Sequence, residues 1–301
     1  MSESEGLNGK ISITDGSCSK KGPCPKPINI IPLQPANIDT TFSRRYEFKY
    51  LISLAKATAI DNYVAEYLPI DRYSKLYPDG YYDICSLYLD SPDMRLCRES
   101  MNGVLNRYKL RIRCYSNDPT TPRFFEIKRR ANTVIIKSRA RVNNDDVPKI
   151  LAGRFVQPIS RSPAEIEKLK QFMLYMQSIQ AAPVVLVRYK RKAYEGIAEN
   201  RVRVTFDKQL HFKIDNAPCI YFNGTNWQKN NICLEWVILE IKYTGRFPAW
   251  LNRMVEYFNI QQHSVSKYAT SIKNASLLKF CAPKLPISAI YQNGLENTLE
   301  F

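Results

Sequence analysis

Histidine is nearly absent from this 301-residue sequence, with two in the whole chain, and its eight cysteines form no CxxC pair. Both shortages argue against a zinc site and against catalysis by a Ser-His-Asp or Cys-His arrangement. No stretch approaches the ~18–20 apolar residues needed to span a bilayer, and no apolar core of signal-peptide length opens the chain. A soluble, cytoplasmic protein is therefore expected. The scattered cysteines fit a reducing compartment, and Cys85 and Cys114, inside strand-like runs, are expected to be small buried thiols. Acidic residues are also scarce: 28 Asp and Glu stand against 44 Lys and Arg, a net charge of +16. Such an excess implies a polyanionic partner, whether nucleic acid, an acidic membrane surface or phosphate chains.

What is abundant is tyrosine, 19 of them, in a chain that is 45% hydrophobic and 12% aromatic. That is the composition of a folded, β-rich protein. Residues 1–40, rich in Ser, Lys, Gly and Pro, read as a flexible tail, and 276–301 as a second tail or a strap over the domain. One continuous patterned domain, 41–275, lies between them, with no internal repeat. Alternation of apolar and polar residues predicts strands over 44–52, 82–90, 104–115, 123–130, 133–142, 183–194, 201–213 and 233–243. Helical periodicity predicts helices over 54–68, 163–180 and 248–259. The second opens on Ser162, Pro163 and Glu165, a capping box with proline at the first helical position. About eight long antiparallel strands with few helices predict an α+β fold around a closed or nearly closed barrel.

The charges fall on particular strand faces. Successive side chains in a strand point to opposite sides, so Arg45, Glu47 and Lys49 share one face, opposite Tyr46, Phe48 and Tyr50. By the same alternation Lys109, Arg111 and Arg113 share a face, as do Glu126 with Lys128, and Lys137 with Arg139 and Arg141. So do Arg188, Lys190 and Lys192, then Arg201 and Arg203, and finally Glu240 and Lys242. Each row alone is what the solvated face of a half-buried sheet looks like. A solvated face, however, mixes signs, because like charges opposite one another repel. Two unit charges 4 Å apart at an effective dielectric near 20 repel by ~4 kcal/mol. Rows that are almost wholly cationic are better explained if they converge on a polyanion. Phosphate suits them, since Arg offers bidentate forks and Lys compact point charges. The few acids among the cations then suggest a divalent metal bridging carboxylate and phosphate oxygens.

The ordered set RYEFKY (45–50), SLYLD (86–90), KLRIRCY (109–115), FFEIKRR (124–130), IIKSRARV (135–142), VRYKR (187–191), RVTFD (203–207), LEIKYTG (239–245) and SKYATS (266–271) resembles the VTC domain. That is the polyphosphate polymerase domain of the vacuolar transporter chaperone complex, within the triphosphate tunnel metalloenzymes. The resemblance implies an eight-stranded antiparallel β tunnel with flanking helices, a Mn²⁺ or Mg²⁺ cofactor, and transfer of the ATP γ-phosphate to a growing polyphosphate chain. It also implies roles. Lys49, Arg111, Arg113, Lys137 and Arg188 would act on the transferring phosphates. Arg45, Lys109, Lys128, Arg139, Lys190, Lys242, Ser266 and Lys267 would bind substrate, with Arg201 or Arg203, which share a face. Glu240, with Glu126 and Glu47, would hold the metal. Triphosphatases and cyclases of the superfamily open with an ExExK-like strand. Here the strand reads Glu47-Phe48-Lys49, one carboxylate short, which favours holding a long anionic product over hydrolysis.

Two other readings stay open. One is a catalytically inactive polyphosphate or nucleotide binder of the same fold, or a triphosphatase. The other is a nucleic-acid binder using the basic excess. Because no zinc-finger or helix-turn-helix signature appears and the charges sit on strands, no nucleic-acid partner is expected. ATP and inorganic polyphosphate are the expected partners. A membrane or complex partner would not be encoded in this chain, and the sequence does not specify an oligomeric state.

Overall fold

A computed structural model describes residues 45–132, 134–196, 202–233 and 235–275. Both expected tails, along with Arg201, lie outside the described residues.

Nine strands form one antiparallel sheet: β1 (Arg45–Ser53), β2 (Tyr82–Asp90), β3 (Arg107–Cys114), β4 (Arg123–Ala131), β5 (Val134–Val142), β6 (Ala182–Glu195), β7 (Arg203–Ile214), the two-residue β8 (Gln228–Lys229) and β9 (Trp236–Thr244). Spatial order is β1-β9-β7-β6-β2-β3-β4-β5, with β8 pairing β7 off this path. The eight long strands match the eight expected. The hydrogen-bonded path ends at β1 and β5, so backbone pairing leaves the sheet open along one seam. Side chains cross that seam: Lys128 Nζ on β4 donates to both Glu47 carboxylate oxygens on β1, at 2.9 and 3.0 Å. Only a strongly curled sheet brings β4 and β1 so close. The sheet is thus a curled, eight-stranded half-barrel around a trough.

The helices are α1 (Leu54–Ala65), α2 (Arg95–Met101), α3 (Val147–Leu151), α4 (Pro163–Ser178), α5 (Ala249–Tyr257) and α6 (Lys267–Asn274). Three of them were expected; α2, α3 and α6 are too short for periodicity to reveal. α4 starts where predicted, with Ser162 Oγ accepting from Glu165 N at 3.3 Å. Its Leu169, Phe172, Met173 and Met176 cover the convex side of β2–β5, and Phe172 meets Phe125 edge to face at 5.0 Å. On the other half, α1 and α5 cover the convex side of β1, β9 and β7 through Ile60, Val64, Leu251 and Met254. Cys85 and Cys114 are fully buried under the α4 layer.

Inside the curl, α2 and α6 plug part of the trough. Tyr268 and Ile272 of α6 pack on Ile84, Tyr88, Val185 and Val187. Tyr268 Oη donates to Asp90 Oδ2 at 2.5 Å, and the same carboxylate accepts from Leu96 N and Cys97 N at the start of α2. One bulge sets the rest. Between Arg188 and Lys190 the β6–β7 register slips by one residue, where Gln209 sits at φ +55°. An extra residue on one strand flips the faces beyond it. Asp207 before the bulge and Leu210 after it therefore both point inward.

Candidate active site in the basic trough

The concave face not occupied by α6 is ionic. Cross-strand register aligns Tyr88, Arg111, Glu126 and Arg139 in one row across β2–β5, and Lys109, Lys128 and Lys137 in the next. From the opposite half, Lys49 lies across from Glu240, and Glu47 across from Lys242, which in turn faces Arg203.

Glu126, fully buried, sits at the centre of one cluster. Arg111 Nε donates to its Oε2 at 2.7 Å, Arg113 Nε lies 4.0 Å from the same oxygen, and Lys137 Nζ and Arg139 Nε approach Oε1 at 3.0 and 3.1 Å. Burial alone would raise its pKa; Arg111, Arg113, Lys137 and Arg139 outweigh burial and hold it well below the usual range. Arg113 also donates to Ser86 Oγ at 3.2 Å and Tyr189 Oη at 3.3 Å. Burial lowers the Lys137 pKa to about 7, with Arg111 and Arg113 adding to it against the pull of Glu126.

A second cluster holds two carboxylates. Lys49 Nζ lies 3.3 Å from Glu47 and 3.9 Å from Glu240. Lys242 pairs with Glu240 closely and stands 3.9 Å from Glu47. Burial and the mutual repulsion of the carboxylates push the Glu47 pKa up, but Lys128, Lys49 and Lys242 bring it down to about 2. Glu240, also pushed up by burial, is held well below its ordinary value by Lys242, Lys49, Arg191 and Lys128. Lys128 itself is lowered to about 8 by burial despite Glu47. Thr205, across the ladder from Glu240, is buried with its Oγ1 lacking a hydrogen-bond partner among the described residues.

The segment leading into α6 closes this side. Lys49 Nζ donates to Val265 O at 3.2 Å, and Lys109 Nζ to Ser266 Oγ at 2.7 Å, while Ser266 also caps α6. Burial, then Lys49 and Lys128, drive the Lys109 pKa well down. Lys267 Nζ meets Asp207 Oδ2 at 2.6 Å.

Several expectations need correction. Arg188 and Lys190 do not face the trough. Arg188 donates to Phe222 O at 2.5 Å and stacks on Trp227 at 4.3 Å on the convex side, and Lys190 lies 3.7 Å from the exposed Asp83. The inward face of β6 is Val185, Val187, Tyr189 and Arg191. Its cation, Arg191, forms two bonds to Asp207 at 2.6 and 2.7 Å. Sequence reading passed over both Arg191 and Asp207. Burial raises the Asp207 pKa, but Arg191 and Lys267 bring it to about 2. The three acids expected to share a metal are also divided: Glu126 is enclosed by its own cations, and among the described residues no group of three or more His, Cys, Asp or Glu gathers. Glu47 and Glu240 remain together. Arg203 pairs with Asp71 at 2.8 Å and with Glu195, so acids already occupy it at one end. Arg45 begins β1 across from Thr244.

Residues 44–276 match the family model of the VTC domain. No curated protein matches the sequence. Among solved structures, a proposed adenylate cyclase from Bacillus halodurans aligns at 15% identity and a TM-score of 0.42, covering 73% of this chain and 92% of its own. A proposed adenylyl cyclase from Hippeastrum, described as having a dominant triphosphatase activity, aligns at 11% identity and a TM-score of 0.41, covering 80% and 98%. A Pyrococcus horikoshii protein aligns at 12% identity and a TM-score of 0.38, covering 77% and 98%. Among the described residues no helix is long and apolar enough to cross a membrane.

Proposed function

The chain belongs to the VTC-domain family, and from that premise we propose that it is a polyphosphate polymerase, extending a phosphate chain held in the trough with the γ-phosphoryl group of ATP. The observation that carries this reading is the meeting of cations from both ends of the sheet. Lys49 and Lys242 on one side and Arg111, Lys128 and Lys137 on the other converge on Glu47, Glu126 and Glu240, acids too few to neutralise them. A chain of phosphates supplies the missing negative charge.

A terminal oxygen of the bound chain attacks the γ-phosphorus in line. The bond from that phosphorus to the β–γ bridging oxygen breaks, and ADP leaves with the electron pair. The attacking oxygen is already ionised, so no general base is required, in keeping with the scarcity of histidine. Arg111, Arg113, Lys137 and Arg191 stabilise charge on the transferring group, and the lysines around Glu47 hold the acceptor chain.

Glu47 and Glu240 fit a divalent cation. Both stay ionised, both are hard oxygen donors, and the unpartnered Thr205 hydroxyl lies beside Glu240. Mg²⁺ or Mn²⁺ is commonly held by one or two carboxylates with substrate phosphates completing its shell. Bound there, it would neutralise phosphate oxygens and polarise the γ-phosphoryl group.

The test is to incubate the purified chain with ATP and Mn²⁺ or Mg²⁺ and resolve the products. A ladder of polyphosphate with matching ADP is expected. Orthophosphate without polymer would assign a triphosphatase instead, and binding of tripolyphosphate without turnover an accessory subunit.

A further inference from the structure

Beyond Arg113 the concave faces of β2, β3 and β4 end in Tyr82, Tyr115 and Phe124, whereas the phosphate-lining positions are charged. Tyr115 follows β3, and its ring meets Phe124 edge to face at 5.5 Å. From the loop between α1 and β2, Tyr73 brings its ring parallel to Tyr115, with 7° between planes and 6.5 Å between centroids. The other parallel ring pairs among the described residues are in contact: Tyr46–Tyr243 at 4.9 Å, Tyr67–Trp250 at 4.7 Å and Tyr88–Tyr268 at 4.8 Å. The Tyr73–Tyr115 pair is wider than these by nearly the half-thickness of a ring. The buried ring of Tyr82 lies 6.1 Å from Tyr73 and 6.4 Å from Tyr115, centre to centre, so three tyrosine rings gather at this end of the trough.

Tyr73 is 49% exposed, yet it is held firmly. Its backbone N–H donates to Asp71 Oδ1 at 2.7 Å, and the other oxygen of Asp71 accepts from Arg203 at 2.8 Å. Arg72 lies 4.7 Å over the Tyr73 ring and donates to its hydroxyl at 2.8 Å. A large apolar ring left in water but fixed in place is a surface prepared for a flat partner. Arg139 ties that surface to the trough. Its guanidinium lies 3.7 Å over Phe124 and donates to Tyr115 Oη at 3.0 Å, while its Nε reaches Glu126 at 3.1 Å.

We propose that Tyr73 and Tyr115 form a stacking site for the base of a purine nucleoside triphosphate, with its phosphates running past Arg139 into the Glu126 cluster. This deepens the polymerase reading and rests on it: the trough takes ATP from this mouth.

The experiment is calorimetry on the full chain with two ligands, tripolyphosphate and the β,γ-imido analogue of ATP. Tyr73→Ala is expected to weaken the analogue about tenfold, in the range of base stacking removed by alanine, and to leave tripolyphosphate unchanged. Tyr73→Phe should restore the analogue. Equal affinity of wild type and Tyr73→Ala for the analogue, or an equal loss for both ligands, would overturn the base site while leaving phosphate binding intact. A wild type that binds neither ligand would overturn the polymerase reading and this site with it.

Discussion

Glu126 and Glu240 both point into the trough, both are buried, and both are kept ionised by neighbouring cations. Their partners differ. Glu126 is alone among four cations on the β3–β5 wall, and three of these approach within 3.1 Å. Glu240 has a second carboxylate beside it, and the two share Lys49 and Lys242. A lone carboxylate ringed by four cations, with Arg111 bonded to Oε2 and Lys137 and Arg139 close to Oε1, holds those cations in place, and a metal entering there would meet their repulsion. A pair that repels itself is eased by any cation that enters, so it is the better ligand. Cations of the first cluster are thus fixed in place for phosphate by Glu126. The second cluster is held together by charges that a metal or a phosphate chain would rearrange.

The largest effect expected is on folding, at the first cluster. Glu126→Gln leaves Arg111 and Arg139 buried or half-buried without their anion, and breaking such a cluster costs about 3–5 kcal/mol. Urea unfolding of the free protein should show that loss. Glu47→Gln removes a carboxylate held at a pKa of about 2 by its cations and should also lower stability, but by less than Glu126→Gln, because it relieves the repulsion of Glu240. Equal losses would erase the distinction between the clusters. Acid acts in the same sense at the Glu47 pair and at Asp207, which is held by Arg191 and Lys267. Glu47 and Asp207, with pKa values lowered to about 2, contribute stability above the ordinary carboxylate range. That contribution is lost progressively as pH falls toward 2.

Turnover should respond at the second cluster. Glu240→Gln is expected to lower polyphosphate synthesis at least a hundredfold, the order lost when a charge-stabilising group is removed. Its urea midpoint should fall, but by less than that of Glu126→Gln, because the change also relieves the repulsion of Glu47. If excess Mn²⁺ left the mutant at wild-type rate, Glu240 would not be the metal ligand.

How far the sequence could lead is clearest on β6. Alternation sorts Arg188, Lys190 and Lys192 from Val185, Val187 and Tyr189, and the structure keeps that sorting. What alternation cannot supply is which set faces inward. Here α6 fills the concave side with Tyr268 and Ile272, so the inward face of β6 is mostly apolar, and the row of cations is the ordinary wet face of a sheet. Arg191 falls at the end of that apolar face, where only register, which sets it across from Asp207, marks it. On β1, β3, β4, β5 and β9 no helix among the described residues packs an apolar face against the charged rows, and there those rows do converge. The eight long strands, α4 with its cap and the buried thiols were legible from local pattern. The bulge at Gln209, the α6 plug and the separation of Glu126 from the other acids depend on contacts distant in sequence. Arg191→Ala should therefore cost about tenfold in turnover, and Arg188→Ala should leave turnover unchanged. The reverse order would return the convex face of β6 to the site.

The smallest effect distinguishes the clusters by protons. Lys137 belongs to the Glu126 cluster, with its pKa brought to about 7, and Lys128 to the Glu47 pair, with its pKa brought to about 8. At pH 8 the free protein therefore carries Lys137 mostly neutral and Lys128 about half so. A phosphate chain entering the trough favours the charged amine and raises both values, so binding must take up protons. Calorimetry of tripolyphosphate binding at pH 8, in two buffers of different ionisation enthalpy, should show an uptake on the order of one proton. Lys137→Met should remove the larger part of it and Lys128→Met the smaller, because Lys137 starts further below the working pH. The stability of the free protein carries the same sign. With folded values below the usual lysine range, the unfolded chain binds more protons from about pH 7 to 10, and stability rises with pH across that window. Uptake that vanished in Lys128→Met but persisted in Lys137→Met would mean that the anion engages the Glu47 pair without reaching the wall organised by Glu126.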